Sequence, residues 1–506
     1  MSGALMVCGT GSDAGKSHVV TGLCRVLRRR GVRVAPFKAQ NMALNSFVTP
    51  SGHEIGRAQG VQALAAGAVP EVAMNPILLK PTGERTSQVV VLGRPEGHLD
   101  AAAYQALKPA LFDTVTSALA DLRSRYEVVI CEGAGSAAEI NLLDQDLVNL
   151  RLAAAAGVPA IIVGDIDRGG VFAALYGTVA LLPPAYRRLV GGFVINKLRG
   201  DPALLGSACR DLEARCGVPT IGVLPWMHDV ALDAEDSLAL DGRRPRPSSL
   251  AFAAPGGFGD RLDVAAVRFP RLANFTDLDA LAIEPGVGVR LVEDGATFGD
   301  PDLVLLPGTK ATVADLAWLR GRGLDASIAR AAARGATIIG VCGGYQMLGR
   351  RIVDHVESGA GTVDGLGWLD ATTMFHADKV TRQRRGLAVD ERNVRHRLDG
   401  YEIHHGAVDA APGSCRAWIE LDDAYGRGIA GVERDGIFGT SLHGLFEADG
   451  FRGAFLADVA SRRGKAWRPC GASFSAARED QFDRLADLLE EHLDLGAVDK
   501  LISDGV

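Results

Sequence analysis

Residues 7–17, VCGTGSDAGKS, constrain this chain more than any other stretch. Residues 4–8 are apolar and read as a short buried strand. A glycine-rich turn follows, and Gly15-Lys16-Ser17 opens a helix expected over 16–30. Strand, glycine turn and helix N-terminus in that order make an anion site. Glycine lets backbone N–H groups approach phosphate oxygens, and the aligned helix peptides add partial positive charge. Lys16 is placed to reach the β- and γ-phosphates, and the Ser17 hydroxyl to hold Mg²⁺. The usual phosphate loop has four residues between its glycines. Here Gly9 and Gly15 enclose five, and Thr10 stands at the usual first-glycine position. Thr10, Gly11, Asp13, Ala14, Gly15, Lys16 and Ser17 are the candidate nucleotide contacts.

Up to about residue 240, apolar runs alternate with helical patterns. Strands are expected at 32–36, 128–131, 160–163, 192–196 and 220–224, and helices at 16–30, 55–66, 101–125, 142–156 and 171–181. Such alternation implies a parallel sheet with helices on both faces, whose ligands sit beyond the carboxyl ends of the strands. The unusual residues fall there. KAQNMALNS follows the strand at 32–36 and offers Lys38, Gln40, Asn41 and Asn45 as a polar site wall. Glu132 follows 128–131, where a carboxylate can ligate Mg²⁺. Asp165, Asp167 and Arg168 crowd the turn after 160–163, and Asn196 ends the next strand, where its amide can read an adenine edge. Arg28, Arg29 and Arg30 end the first helix, where they complement its dipole and face water.

Residues 241–260 are rich in Pro, Gly, Ser and Arg without a sustained period. They suit a linker between a first domain, 1–240, and a second, 261–506. In the second, strands are expected at 262–269, 287–292, 303–306 and 337–341. The last runs into CGGYQMLG, so Cys342 stands on a sharp strand–turn–helix elbow of the kind that presents a nucleophile above a sheet. His443, after a strand-like run at 436–441, is the candidate base. The Gly308 N–H in LPGT and the Gly343 N–H are candidates for an oxyanion hole. His404 and His405, in GYEIHHG, divide evenly between substrate contact and packing. The tail at 477–495 is amphipathic and suited to docking on a core.

At 506 residues the chain exceeds a single core. A net charge of −7 argues against general nucleic-acid binding. The eight cysteines include no CxxC pair, so neither a zinc site nor a disulfide framework is expected. With no signal-peptide pattern and no long apolar run, a cytoplasmic protein without a membrane span is expected. Its state of assembly stays open, a homo-oligomer included.

GTGSDAGKS, KAQNMALNS, MNPILLKP, EGAGSAAEINL, DIDRGGVFA, INKLRGD, NFTDLD, LPGTK, GVCGGYQMLG, GYEIHHG and SLHG together resemble the cobyric acid synthase family, glutamine-dependent amidotransferases of cobalamin biosynthesis. The first half also resembles dethiobiotin synthetase, which shares the five-residue loop. The resemblance implies two α/β domains: a P-loop ATPase with a parallel sheet, and a class I glutamine amidotransferase domain of flavodoxin-like fold. It implies Ser17, Glu132 and Glu54 as Mg²⁺ ligands, Lys16 and Lys38 on phosphate or substrate oxygens, and Asn196 on adenine. It further implies Cys342 as nucleophile and His443 as base, with ATP, Mg²⁺ and L-glutamine consumed. The implied substrate is adenosylcobyrinic acid a,c-diamide, amidated at its b, d, e and g carboxylates. Lys80, Arg85 and Arg168 are candidates for its anionic rim by charge and strand-end placement. Most of the amidotransferase class has Glu two residues after the histidine. That position is Leu445 here, leaving Glu447 as an unsupported substitute for a third triad member. A sibling making the a,c-diamide itself is the alternative. A partitioning-type ATPase is a remote one, since it gives no reason for Cys342 and His443.

Overall fold

The computed structural model describes residues 2–83, 86–227 and 260–505. The expected linker, apart from Asp260, lies outside the described residues, and so does Arg85. Two compact units form. One comprises Met1–Ala43, His53–Leu232 and Glu479–Val506, the other Leu44–Gly52 and Asp233–Arg478.

In the first unit six strands form a parallel sheet: β1 (Gly3–Gly9), β2 (Val34–Phe37), β3 (Val128–Glu132), β4 (Ala160–Asp165), β5 (Val190–Leu198) and β6 (Thr220–Pro225), in the order β6-β5-β4-β1-β3-β2. These strands read as continuous apolar runs because both faces are covered. Ala4, Met6 and Cys8 pack into one core layer, and Leu5 and Val7, facing the other way, into a second. Glu132 lies inside β3, its last residue, opposite Val7. Two helices matter for the site, α1 (Lys16–Arg29) and α2 (Arg57–Ala66).

The expected helix over 142–156 shortens to Leu150–Ala156. The Asp146 carboxylate accepts the N–H groups of Val148 (2.9 Å) and Asn149 (3.0 Å), which favours a turn over the helix. A small sheet of Gln40–Met42, Ile77–Pro81, Thr86–Val91 and Arg94–Asp100 escapes the alternation rule, because strands such as RPEGHLD are largely polar.

The chain's last helices group with the first unit rather than the second, because their apolar stripe meets its core. Ala486 and Leu489 join Val19, Val20 and Leu23 of α1, and Phe482 packs on Val61 and Ala65 of α2. Basic residues of α1 pair with the acidic residues beside that stripe, Arg25 and Arg29 both at 2.8 Å from Asp483. Arg29 and Arg30 are thus ion-paired rather than simply solvated, Arg30 to Asp499 at 3.1 Å.

In the second unit, β7 (Leu262–Val267), β8 (Val287–Val292), β9 (Leu303–Leu306), β10 (Thr337–Val341) and β15 (Ile437–Thr440) are parallel in the order β8-β7-β9-β10-β15, the flavodoxin-like arrangement. Antiparallel strands extend this sheet: β11 (Ala371–Val389), β12 (Arg395–Ala410), β13 (Arg416–Asp423) and β14 (Gly426–Arg434). Their sequences mix charge with apolar residues, as in TRQRRGLAV, and show no continuous apolar run.

Candidate active site

In the second unit, Cys342 follows β10 directly, at φ 51°, ψ −108°. Positive φ is costly for a residue with a Cβ and is kept where a nucleophile must be presented. The elbow needs the following glycines. A Cβ on Gly344 would lie 1.9 Å from the Leu306 carbonyl oxygen, and one on Gly343 2.6 Å from Thr309 Cγ2. Helix α4 (Gly343–Leu348) starts there, so the Gly343 N–H has no intrahelical acceptor. The Gly344 N–H donates to Pro307 O (3.1 Å) and the Cys342 N–H to Thr440 O (2.8 Å).

His443 is fully buried just beyond β15. Its Nδ1 is 2.8 Å from Asp277 Oδ2, and the Gly444 N–H donates to Asp277 Oδ1 (2.6 Å). Asp277, 3% exposed, begins α3 (Asp277–Ala282). The Tyr401 ring stacks on the imidazole at 5.1 Å. Among the described residues Nε2 has no partner within hydrogen-bond geometry, which leaves it for the nucleophile and its leaving group. Burial pushes the imidazolium pKa down, but the Asp277 carboxylate, then the Cys342 sulfur, outweigh it and raise it to about 10. Cys342, His443 and Asp277 have the make-up of a nucleophile–base–orienter triad. Asp277→Asn leaves one acceptor for two donors, the His443 Nδ1–H and the Gly444 N–H, and removes the charge that supports imidazolium. Glutamine hydrolysis should lose about 10⁴-fold in kcat with little change in KM, read as glutamate release.

A Cβ on Gly308 would lie 2.6 Å from Ala273 O and 3.0 Å from His443 Cε1, so the 307–310 loop packs directly on the imidazole. Asp315 pins that loop. It accepts from the Thr309 hydroxyl and from the Arg271 N–H (3.3 Å). Burial pushes the Asp315 pKa up to about 6. The raised value means folding favours the proton, so this group's contribution to stability falls as pH rises from about 4 to 6. Asp315→Asn should flatten that part of the profile, by about 2–3 kcal/mol between its ends, in thermal unfolding scanned from pH 4 to 7.

His404 is mostly buried, with Nε2 3.7 Å from Glu402 Oε1 and no hydrogen bond to either ring nitrogen. His405 Nδ1 lies 3.1 Å from the His376 carbonyl oxygen.

In the first unit, Gly15 caps α1 at φ 101°. Lys16 Nζ donates to the carbonyls of Gly11 (2.8 Å) and Gly135 (3.1 Å), folded back across the loop. Thr10 bridges to Ser136, and its N–H donates to Val163 O (3.0 Å). The Ser17 hydroxyl donates to Glu132 Oε1 (2.9 Å), Lys38 Nζ to the same oxygen (2.9 Å), and Gln62 Nε2 to Oε2 (2.5 Å). Burial disfavours the Glu132 charge, yet the Lys38 ammonium and the Gln62 and Ser17 donors hold its pKa below the usual range. Gln40 accepts from the Tyr104 hydroxyl, and Asn41 Nδ2 donates to Gln59 Oε1 (3.0 Å).

Two family descriptions match the chain: a CobQ/CobB/MinD/ParA nucleotide binding domain over residues 5–239 and a CobB/CobQ-like glutamine amidotransferase domain over 263–451. Curated relatives extend the match to the whole length. A protein of Frankia casuarinae named cobyric acid synthase is 51% identical over 100% of this chain and 98% of its own. Proteins of the same name are 52% identical in Mycobacterium sp. (strain KMS), over 99% of this chain and 97% of the relative, and 50% in Streptomyces coelicolor, over 100% and 97%. The chain belongs to the cobyric acid synthase family. It is thus a glutamine-dependent amidotransferase with a nucleotide-binding domain.

Within this family frame, several sequence expectations need correction. The carboxylate on the histidine is Asp277, from NFTDLD, and not Glu447, whose carboxylate takes Arg478 at 3.1 Å. Spacing could not reveal it, because 166 residues separate the partners. Asn196 braces the phosphate loop. Nδ2 donates to Ala14 O (2.9 Å) and Oδ1 accepts the Lys197 N–H (2.8 Å), so one amide proton and one Oδ1 lone pair remain beside the loop. Lys80 and Glu54 form a buried ion pair at 2.5 Å, so the Lys80 charge is already neutralised rather than presented to an anionic rim. Arg168 is exposed and reaches Asp13 Oδ2 (3.3 Å), at the phosphate loop. Gln59 and Gln62 did not stand out in the sequence; their signal is polar side chains within an otherwise small and apolar helix, RAQGVQALAA.

Proposed function

We propose that this chain amidates the b, d, e and g carboxylates of adenosylcobyrinic acid a,c-diamide to give adenosylcobyric acid, consuming ATP and taking ammonia from L-glutamine. The observation that carries this reading is one chain holding both the Cys342–His443–Asp277 arrangement and a phosphate loop whose Ser17 meets Glu132 and Lys38.

A carboxylate resists amines because its leaving group is oxide. Transfer of the ATP γ-phosphoryl to it gives an acyl phosphate, and ammonia then expels phosphate. Lys16, Lys38 and the loop N–H groups stabilise charge on the transferring phosphoryl. The Ser17 hydroxyl and the Glu132 carboxylate, hard oxygen donors side by side, suit Mg²⁺, which when bound would neutralise phosphate charge. In the other reaction the Cys342 sulfur attacks the glutamine amide carbon, with its oxygen anion facing the N–H groups of Gly308 and Gly343. The imidazolium of His443 protonates the departing ammonia, leaving a γ-glutamyl thioester. Water, deprotonated by His443, releases glutamate.

Incubation with ATP, Mg²⁺, glutamine and the corrinoid a,c-diamide, followed by mass spectrometry, tests the reading. Four successive acid-to-amide shifts are expected. Amidation of the unamidated acid alone would assign the a,c-diamide synthase activity instead. No amidation of either would leave a nucleotide switch, a reading the buried triad disfavours.

A further inference from the structure

Helix α2 is buried nearly all round, yet it carries Arg57, Gln59 and Gln62, each 3% exposed or less. The carboxylate beside Gln62 fixes which end of its amide is already used, and Gln59 meets the Asn41 amide through its oxygen. Glu132 can only accept, so Gln62 offers it Nε2 and keeps Oε1. Gln59 accepts from Asn41 through Oε1 and keeps Nε2. Both remaining atoms, the Gln59 donor and the Gln62 acceptor, are buried without a hydrogen-bond partner among the described residues. Folded proteins rarely leave such atoms unpaired unless a ligand or water completes them. Three residues apart on a helix, the two amides share a face. A further unpaired acceptor, Asn149 Oδ1, stands by Gly133, where an added Cβ would meet it at 2.2 Å. The helix start is tied to this centre as well. Asn75 accepts the Gly56 N–H (2.9 Å) and donates to the Lys38 carbonyl (2.9 Å).

We infer that Gln59 and Gln62 form the subsite for the reacting acyl group, a carboxylate on entry and a primary carboxamide on exit. One donor beside one acceptor is the complement of a planar carboxamide. The Gln59 N–H takes the acyl oxygen, and Gln62 Oε1 takes an N–H of the incoming ammonia or of the product amide. Glu132, joined to both Ser17 and Gln62, puts this pair at the phosphate end of the sheet, where the acyl oxygen must meet the γ-phosphoryl. The inference rests on the proposed amidation and adds which residues read the group being changed. Both glutamines are binding and positioning groups here, and neither exchanges a proton.

The test uses the full-length protein with ammonium chloride as nitrogen source, so that the result does not depend on Cys342. Gln59→Leu removes the donor. Gln59→Glu keeps the shape and the acceptor for Asn41 but turns an oxygen on the substrate carboxylate. Each should raise the corrinoid KM at least tenfold, Gln59→Glu more than Gln59→Leu, with the affinity for an ATP analogue unchanged in direct binding. A corrinoid KM and kcat within twofold of wild type in both variants would overturn the inference and leave these atoms to a structural water only. Loss of ATP-analogue binding in both would assign Gln59 to the fold and overturn it equally. A wild-type protein that amidates no corrinoid acid would overturn the functional reading itself, and the subsite's ligand with it.

Discussion

Cys342→Ser is expected to abolish glutamine-driven amidation, with glutamate release falling by roughly 10⁶-fold, while ammonium salts still support ATP-dependent synthesis. The size follows from how much of the second unit serves one sulfur. The backbone at Cys342 is held at φ 51°, a Cβ is excluded at both following glycines, and His443 is fully buried against Asp277. The Asp277 carboxylate and the Cys342 sulfur raise the imidazolium pKa to about 10 against the pull of burial, and the imidazolium supplies the proton that ammonia needs to leave. A serine hydroxyl ionises far less readily than a thiol and is a weaker nucleophile. Glutamate release and corrinoid amidation are measured separately, the latter with glutamine and with ammonium chloride. Glutamine-driven amidation that persists in the variant would remove Cys342 from the chemistry.

The phosphate loop and the cysteine elbow were legible because each is local: strand, glycines and helix are contiguous, and burial of both sheet faces makes the strands continuous apolar runs. The parallel strands of both sheets follow for the same reason. What stayed hidden depends on distant pairing. Asp277 lies in NFTDLD, a stretch that carried the family resemblance but not a role for its carboxylate, and the fold pairs it with His443 across 166 residues. The long antiparallel strands β11 and β12 carry many charged residues, so their pairing is set by the partner strand more than by their own pattern. Charge alone did not show that Lys80, inside the strand Ile77–Pro81, is matched by Glu54, because a paired and an unpaired lysine look alike in sequence. The same holds for the amphipathic tail: the stripe predicts docking, but not that α1 and α2 receive it.

Glu132→Gln should stop ATP-dependent amidation, lowering it about 10³-fold or more, and should also destabilise the protein at neutral pH. Glu132 accepts from Ser17, Lys38 and Gln62 while only 1% exposed. Glutamine keeps the shape but leaves the Lys38 ammonium, itself 4% exposed in its side chain, without this charged partner. Breaking a buried pair from one side typically costs about 3 kcal/mol or more. The pH dependence separates this charge effect from a packing defect. The folded carboxyl pKa lies below its ordinary value of 4.5, so the stabilisation is fully present above that value and is lost as pH falls towards the folded pKa. The gap between wild type and variant in thermal unfolding should therefore be widest near pH 7 and close on acidification below about 4. A gap that stays constant down to pH 3 would point to packing. Unchanged ATP-dependent amidation would show that the phosphate end of the sheet does not need this carboxylate.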